Sequence, residues 1–133
     1  LRMDKHCTNT MQVANFLNGH NTIDTVHYAG LSNHPDYAVA QKQMKHPSAM
    51  LSFELKGGFE AGKRFINQLQ MCISAVSFGT CDTLICHPAS TTHHGVPKAQ
   101  REKFGITDGL IRMSVGIENI EDILEDVEQA LKV

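Results

Sequence analysis

The stretch GLIRMSVGIENIEDILEDVEQAL, residues 109–131, joins a strand pattern to a helix pattern and places one arginine inside the strand. Alternation with a period of two predicts that every second residue of this strand faces the core. The predicted core side chains are those of Ile111, Met113 and Val115. Arg112 therefore points to the opposite face, away from the core of its own sheet.

The second half of the stretch predicts the last helix of the chain. Its apolar residues recur at intervals of three and four, which places them on one helix face. They are Ile120, Ile123, Leu124, Val127 and Leu131. Asn119 is a favourable N-cap residue, and Glu121 and Asp122 lie in the first turn, where acidic side chains complement the helix dipole.

Outward from this stretch, the chain alternates predicted helices with predicted strands. Helical spacing, glycine stops and proline positions predict helices over residues 1–18, 32–46, 58–73 and 97–104. Strands are predicted over residues 23–30, 51–55, 75–78 and 83–87, in addition to the last strand. Some connections between strands pass through helices and others are short turns. This order favours one α+β domain over residues 1–133, with helices packed against a sheet.

The composition limits the class of partner. The chain has 133 residues, of which 41% are hydrophobic and 20% charged, and its 12 basic and 14 acidic side chains nearly balance. Such a balance gives no field that would attract nucleic acid or an anionic membrane surface. No apolar run reaches the roughly 18 residues that a membrane span needs. We therefore expect no nucleic-acid or membrane partner and a cytoplasmic location.

The cysteine pattern agrees with a reducing compartment. Cys7, Cys72, Cys81 and Cys86 show neither C-x-x-C spacing nor the dense pattern of a secreted disulfide scaffold. We expect buried, reduced thiols, with a zinc site or a redox pair as the alternative.

The segment GGFEAGKR, residues 57–64, matches the G-x-x-x-x-G-K spacing of a phosphate-binding loop. Arg64, however, stands where such a loop needs a Ser or Thr hydroxyl to bind magnesium. We therefore interpret the segment as a glycine turn that leads into a helix.

The segment CHPASTTHH, residues 86–94, concentrates three histidines. Pro88 predicts a loop, and the spacing is not that of zinc ligands on one helix face, so we expect no metal site. The small hydroxyl side chains of Ser90, Thr91 and Thr92 suit either the approach of a polar ligand or a tight structural turn.

Two interpretations of Arg112 remain open at this point. The first is a surface guanidinium paired with an acidic side chain. The second is a face that lines a cleft, where the planar guanidinium binds a carboxylate through two parallel hydrogen bonds. Spacing alone does not decide between them.

Four segments, in order along nearly the whole chain, resemble a known family. They are LRMDKHC (1–7), MLSFELKGG (50–58), HPASTTH (87–93) and GITDGLIRMSVGIENIEDILEDVEQAL (105–131). Together they are similar to the C-terminal domain of the pyridoxal-phosphate (PLP)-dependent enzymes of cysteine and methionine metabolism. Within the family, GFEAGKRFIN and AVSFGTCDTL are most similar to the lyases that act on methionine or cystathionine.

The resemblance implies a fold and a site. The fold is the small domain of the aspartate-aminotransferase type, a mainly antiparallel sheet with helices packed against it, which closes over the substrate. Arg112 is expected to bind the α-carboxylate of the amino-acid substrate. Ser77 and the main chain of Val76 are expected to assist at the same carboxylate, and Thr92 to help fix this arrangement.

The resemblance also implies PLP as the cofactor of the parent enzyme. The Schiff-base lysine of the family belongs to a larger N-terminal domain that has no counterpart here, so we expect a C-terminal piece of a longer protein that neither binds PLP nor turns over substrate alone. The expected partners are that missing domain and a sulfur amino acid, and the expected parent is a homotetramer.

The implied reaction is γ-elimination of methionine or cystathionine, which gives a thiol, a 2-oxo acid and ammonia. Thr91 in HPASTTH also suits the O-acyl-homoserine sulfhydrylases of the family. The alternative is therefore γ-replacement, by such a sulfhydrylase or by a cystathionine γ-synthase. The apolar side chain of Val76 favours a methionine-like substrate. A non-catalytic binding or assembly module is a further alternative.

Overall fold

The computed structural model describes residues 1–132, and this range contains five helices, five strands and one 3-10 turn. The helices are α1 (Arg2–Asn18), α2 (Tyr37–Gln43), α3 (Gly58–Gln68), α4 (Lys98–Lys103) and α5 (Ile120–Leu131). The strands are β1 (Ile23–His27), β2 (Met50–Leu55), β3 (Ile73–Ser74), β4 (Leu84–Cys86) and β5 (Leu110–Ser114), and the 3-10 turn is Pro88–Ser90.

The five strands form one sheet in the order β1-β2-β5-β4-β3. Its pairs are antiparallel, except that β3 and β4 run parallel. The last predicted strand, β5, lies at the centre of the sheet and pairs with β2 and β4. The predicted α+β fold with a mainly antiparallel sheet is confirmed.

One hydrophobic core lies on one face of the sheet. Alternate residues of β2 and β5 point into it, as predicted, and Ile111, Met113 and Phe53 are fully buried. The helices α1, α3 and α5 supply the other side of this core. Phe65 of α3, for example, packs edge to face on Phe53, with ring centroids 5.7 Å apart.

The predicted helix 58–73 is too long at its C-terminus. Helix α3 ends at Gln68, because Leu69 takes an extended conformation and the backbone N–H groups of residues 70–72 bond to the carboxylate of Asp126. The following strand is therefore Ile73–Ser74, and the prediction of a strand over 75–78 is wrong.

Helix α2 is also shorter than the predicted span 32–46. Residues 31–37 form successive turns, with N–H to carbonyl bonds from His34 to Leu31 and from Tyr37 to His34. The helix ends when Met44 becomes extended, and Pro47 shortly afterwards prevents any continuation.

Residues 57–64 form a glycine turn that leads directly into a helix, as interpreted from the sequence. Gly57 and Gly58 have φ angles of 95° and 63°, in the left-handed region that favours glycine, and α3 begins directly at Gly58. At the other end of the chain, Asn119 caps α5, since its side-chain oxygen accepts a hydrogen bond from the Glu121 N–H at 3.3 Å. Across residues 1–132, no helix has the length and apolar character to cross a membrane.

Candidate functional site

A row of four side chains, three polar and one a thiol, crosses the face of the sheet opposite the core. Strand register pairs His27 with Ser52, Ser52 with Arg112, and Arg112 with Cys86, so each of four neighbouring strands contributes one residue to the row. Arg112 is half-buried at its centre. A hollow of about 250 Å³ opens beside it, lined in part by His27 and Ser52.

The guanidinium of Arg112 is held by the chain but not neutralised. Its Nη1 donates to the carbonyl oxygen of Val76 at 3.1 Å and lies 3.9 Å from the Sγ atom of Cys86. No salt bridge within residues 1–132 involves Arg112. In the same range, its Nε and Nη2 groups have no hydrogen-bond partner. Within residues 1–132, Arg112 therefore does not form the surface ion pair that was one of its two interpretations.

The acidic side chain on the same sheet face is engaged elsewhere. Glu54 lies on β2, two residues beyond Ser52. Its carboxylate is 3.6 Å from the Nε2 atom of His27 and accepts a hydrogen bond from the hydroxyl of Thr107. Arg112 is consequently left with free donors on a partly enclosed surface.

The segment after β3 brings two predicted site residues to Arg112. The backbone N–H of Ala75 donates to the carbonyl oxygen of Ile85 at 3.0 Å, and the chain then leaves the sheet. The Val76 carbonyl turns to Arg112, whereas its side chain is 55% exposed. Ser77 follows and is exposed. Phe78 is 67% exposed, and its ring lies 5.4 Å from the Arg112 guanidinium carbon.

Thr92 is not joined to this group by the described contacts. Its hydroxyl bonds to the Nδ1 atom of His93 at 2.8 Å, and it is exposed. The hydroxyl of Thr91 donates instead to the His87 carbonyl at 2.8 Å, which closes the turn after the 3-10 segment. The roles of Thr92 and Ser77 at a substrate carboxylate stay predictions.

One histidine of the histidine-rich segment, His87, has a structural role. His87 is 1% exposed, with Nε2 2.8 Å from the carbonyl of Asp108 and Nδ1 2.9 Å from the hydroxyl of Ser90. The carbonyl can only accept, so Nε2 carries a proton and donates to it. Among residues 1–132, no three His, Cys, Asp or Glu side chains are grouped in a way that could hold a metal ion.

The cysteines divide by exposure. All four are free; Cys7, Cys72 and Cys86 are buried as predicted, but Cys81 is exposed, which corrects the prediction of four buried thiols. Cys81 lies in the segment between β3 and β4, away from the core strands. Burial raises the pKa of the Cys72 thiol far above its usual value, and the carboxylate of Asp126 raises it further.

Two carboxylates that the sequence analysis missed, those of the buried Asp126 and the half-buried Glu118, hold the ends of the segment 75–82. Asp126 bonds the N–H groups before it, as described above. The Glu118 carboxylate accepts from the N–H of Thr83 at 2.5 Å and from its hydroxyl at 2.9 Å, after the segment. The signal for Asp126 was an acidic residue on the apolar face of α5, directly before Val127.

All eight lysines are exposed, and several bond to nearby groups of the surface. Lys132 lies 3.3 Å from Glu128, Lys63 lies 3.6 Å from Glu60, and Lys56 donates to the carbonyl of Asn21. No lysine among residues 1–132 is therefore enclosed by the fold.

Comparison with known proteins agrees with the fold. The Cys/Met metabolism PLP-dependent enzyme family matches residues 1–132. An L-methionine gamma-lyase of Fusobacterium nucleatum subsp. nucleatum is 55% identical over 132 residues, which cover 99% of this chain and 33% of that protein. An O-acetyl-L-homoserine sulfhydrylase of Leptospira meyeri is 43% identical over 99% of this chain and 30% of its own length.

A solved structure matches equally well. The crystal structure of metB from Corynebacterium glutamicum superposes with a TM-score of 0.90 and 44% sequence identity, and the match covers 98% of this chain and 33% of that one. The chain thus spans about a third of the length of the proteins that it matches.

Proposed function

The chain belongs to the Cys/Met metabolism PLP-dependent enzyme family, and we propose that it is the part of a carbon–sulfur lyase that binds the α-carboxylate of a sulfur amino acid. The observation that carries this proposal is the state of Arg112. Its guanidinium is oriented by Val76 and Phe78, has no acidic partner within residues 1–132, and keeps its Nε and Nη2 donors free.

The free donors suit a carboxylate geometrically. The Nε–H and one Nη2–H of a guanidinium are parallel and match the two oxygens of a carboxylate. The bond from Nη1 to the Val76 carbonyl uses the other edge of the group, so it orients the guanidinium without occupying that pair. We propose that Ser77, next in sequence and exposed, adds a hydroxyl to the same carboxylate, and that Thr92 completes the arrangement.

The contact between Arg112 and the substrate carboxylate would determine which bond of the substrate reacts. Holding the carboxylate fixes the rotation of the amino acid about its α-carbon, which sets the bond to be broken relative to the plane of the cofactor. PLP supplies the electron sink for this chemistry. We propose that it is held by a further domain of the intact enzyme, because the lysines described here are all exposed.

Exposed apolar side chains support a covering domain. Met3, Met44 and Phe78 border a cavity of about 760 Å³ between α1, residues 44–50 and β5. Apolar surface of this kind is usually covered in a soluble enzyme. We propose that the PLP domain covers it, in a homotetramer located in the cytoplasm; the tetramer rests on the family resemblance, and the free cysteines support the location.

The proposed reaction is elimination of a thiol from methionine or cystathionine, with a 2-oxo acid and ammonia as the other products. It is supported by the similarity to an L-methionine gamma-lyase and by the exposed apolar side chain of Val76. The second candidate is γ-replacement, which is favoured by the similarity to an O-acetyl-L-homoserine sulfhydrylase. Thiol release from L-methionine alone, compared with product formation from O-acetyl-L-homoserine plus sulfide, distinguishes the two.

The carboxylate role is tested in the complete enzyme with two matched probes. L-Norleucine resembles methionine without its sulfur, and n-pentylamine is the same molecule without the carboxylate. Arg112→Lys should weaken L-norleucine binding by about 10- to 100-fold, as expected for losing a charged bidentate contact, and should leave n-pentylamine binding unchanged. Calorimetric titration measures both.

Arg64→Lys serves as the matched control, because Arg64 is an exposed arginine on α3 outside the site. It should change neither affinity. If Arg112→Lys weakened both probes equally, or neither, the proposed carboxylate role would be wrong.

A further inference from the structure

We propose that Ser114 is a positioning residue, whose hydroxyl oxygen fixes residues 76–79 over Arg112. The hydrogen bond at the centre of this inference is present in the chain itself, whereas its consequence for substrate rests on the proposed function of Arg112. Ser114 is 3% exposed, and it lies on β5 two residues after Arg112, on the same face.

Two hydrogen bonds attach the two ends of residues 76–79 to that single strand face. At the start, Nη1 of Arg112 donates to the carbonyl of Val76 at 3.1 Å. At the end, the backbone N–H of Gly79 donates to the Ser114 Oγ atom at 3.1 Å. Since residues 112 and 114 belong to one rigid central strand, the two bonds define the position of the loop relative to the guanidinium.

Packing contributes little to holding this loop. Val76 and Phe78 are mostly exposed, and the cavity of about 760 Å³ opens next to Gly79 and Ser114. A loop without a packed base depends on its hydrogen bonds for its position. Arg2 of α1 donates to the Gly79 carbonyl, but this contact comes from an exposed side chain at the chain's end. The bond to Ser114 is partly buried and is therefore the better shielded of the two.

The loop in turn orients the guanidinium. The Phe78 ring covers one face of Arg112, and the Val76 carbonyl fixes one edge. Releasing Gly79 would let Phe78 and Ser77, its two preceding residues, move relative to β5. Arg112 would keep its charge but lose the fixed direction of its free donors. Binding of a ligand with a carboxylate should therefore weaken, while binding of the same ligand without the carboxylate should not.

The first test is amide hydrogen exchange in this chain. Ser114→Ala should accelerate exchange of the Gly79 amide by about tenfold, the change that corresponds to losing one shielded hydrogen bond, while the amides of β5 stay protected. Ser114→Thr keeps a hydroxyl and should restore protection. If Ser114→Ala does not fold, Ser114→Cys replaces the oxygen with a weaker acceptor of similar size and provides the same comparison.

The matched control is Thr10→Val. Thr10 is buried like Ser114, and its hydroxyl donates to the His6 carbonyl inside α1 rather than to the loop. This change removes one buried hydroxyl and should leave Gly79 exchange as it is. Unchanged Gly79 exchange in Ser114→Ala, or an equal change in Thr10→Val, would overturn the inference.

The second test uses the complete enzyme and the same two probes. Ser114→Ala should raise the dissociation constant of L-norleucine by about three- to tenfold and leave that of n-pentylamine unchanged, with recovery in Ser114→Thr. If Arg112→Lys weakens L-norleucine but Ser114→Ala does not, the positioning role fails and the proposed function stands. If Arg112→Lys has no effect either, the proposed function fails.

Discussion

Gly62 of α3 lies directly against the imidazole of His87. A Cβ atom on Gly62 would be 2.5 Å from Nε2 and 2.7 Å from Cδ2 of that ring. Phe59, one turn earlier on the helix, packs on the same imidazole with ring centroids 5.3 Å apart. The glycine-rich segment 57–64 and the histidine-rich segment 86–94 are therefore parts of one packing unit, and Gly62 is needed for close approach rather than for binding a phosphate.

Gly62→Ala should destabilise the chain. The new methyl group meets a ring that is held at both nitrogens, so either α3 or His87 must move, and overpacking of this kind costs about 1–3 kcal/mol in the free energy of unfolding. Urea denaturation measures the loss. Gly95→Ala is the control, since a Cβ there meets nothing within 4 Å; equal losses in the two variants would contradict the packing argument.

The elements that the sequence predicted well are those whose pattern comes from the core. Strands β2 and β5 alternate because one face of each is buried, and α5 carries both an apolar stripe and a cap at Asn119. Strand β3 was missed because it has two residues, both exposed, and so leaves no alternation. Its position follows from the long-range contact of Asp126 that ends α3, which a local pattern cannot show.

The orientation of Arg112 could be predicted from the sequence, but the contacts around it could not. Alternation placed Arg112 away from the core, and the structure confirms that orientation. Its contact with Val76 is made by a carbonyl oxygen, which every residue possesses, so the side-chain pattern gave no direct sign of it. Ser114 shares the face of Arg112, but only the fold brings the Gly79 N–H to its hydroxyl, and no local pattern indicates that contact.

The exposure of the thiols predicts their reactivity. An aromatic disulfide reagent should modify Cys81 rapidly in the folded chain, because this thiol is exposed, whereas Cys7, Cys72 and Cys86 are buried. Burial also raises the pKa of the Cys7 and Cys72 thiols, which lowers their thiolate fraction. Denaturant should release the other three thiols. Cys81→Ser should show no rapid phase, and a rapid phase that survives this change would contradict the assignment.

The chain without a further domain should be inactive. Residues 1–133 mixed with PLP and L-methionine should release no thiol above a protein-free control, because the lysines described in the structure are all exposed and none is enclosed beside a phosphate cradle. A colorimetric thiol assay, with an intact L-methionine gamma-lyase as the positive control, makes the comparison. Thiol release that depends on this chain would overturn the prediction.

Asp126 on α5 stabilises the turn that leads to β3 and then to the loop of residues 76–79. Its carboxylate accepts the backbone N–H groups of Cys72 at 2.7 Å, Gln70 at 2.8 Å and Met71 at 3.0 Å. Asp126→Asn removes the charge and one acceptor oxygen. We expect a loss of about 2–3 kcal/mol in the free energy of unfolding at neutral pH, as for hydrogen bonds to a buried charge. Glu125→Gln, on the exposed face of the same helix, should have little effect.

The stabilisation by Asp126 should depend on pH in a defined direction. Burial alone would raise the pKa of this carboxyl, but the N–H groups of Cys72, Gln70 and Met71 favour the charged form and leave the pKa below its ordinary value of 3.8. Since the folded chain binds this proton more weakly than the unfolded chain, the contribution is complete above the unfolded pKa and is lost as the pH falls through the lower, folded pKa. The difference in unfolding free energy between the unmodified chain and Asp126→Asn should therefore be constant from about pH 7 to pH 5 and shrink below about pH 4. Urea titrations across this range measure it, and a difference that grew on acidification would show that the carboxylate is not the group that holds the turn.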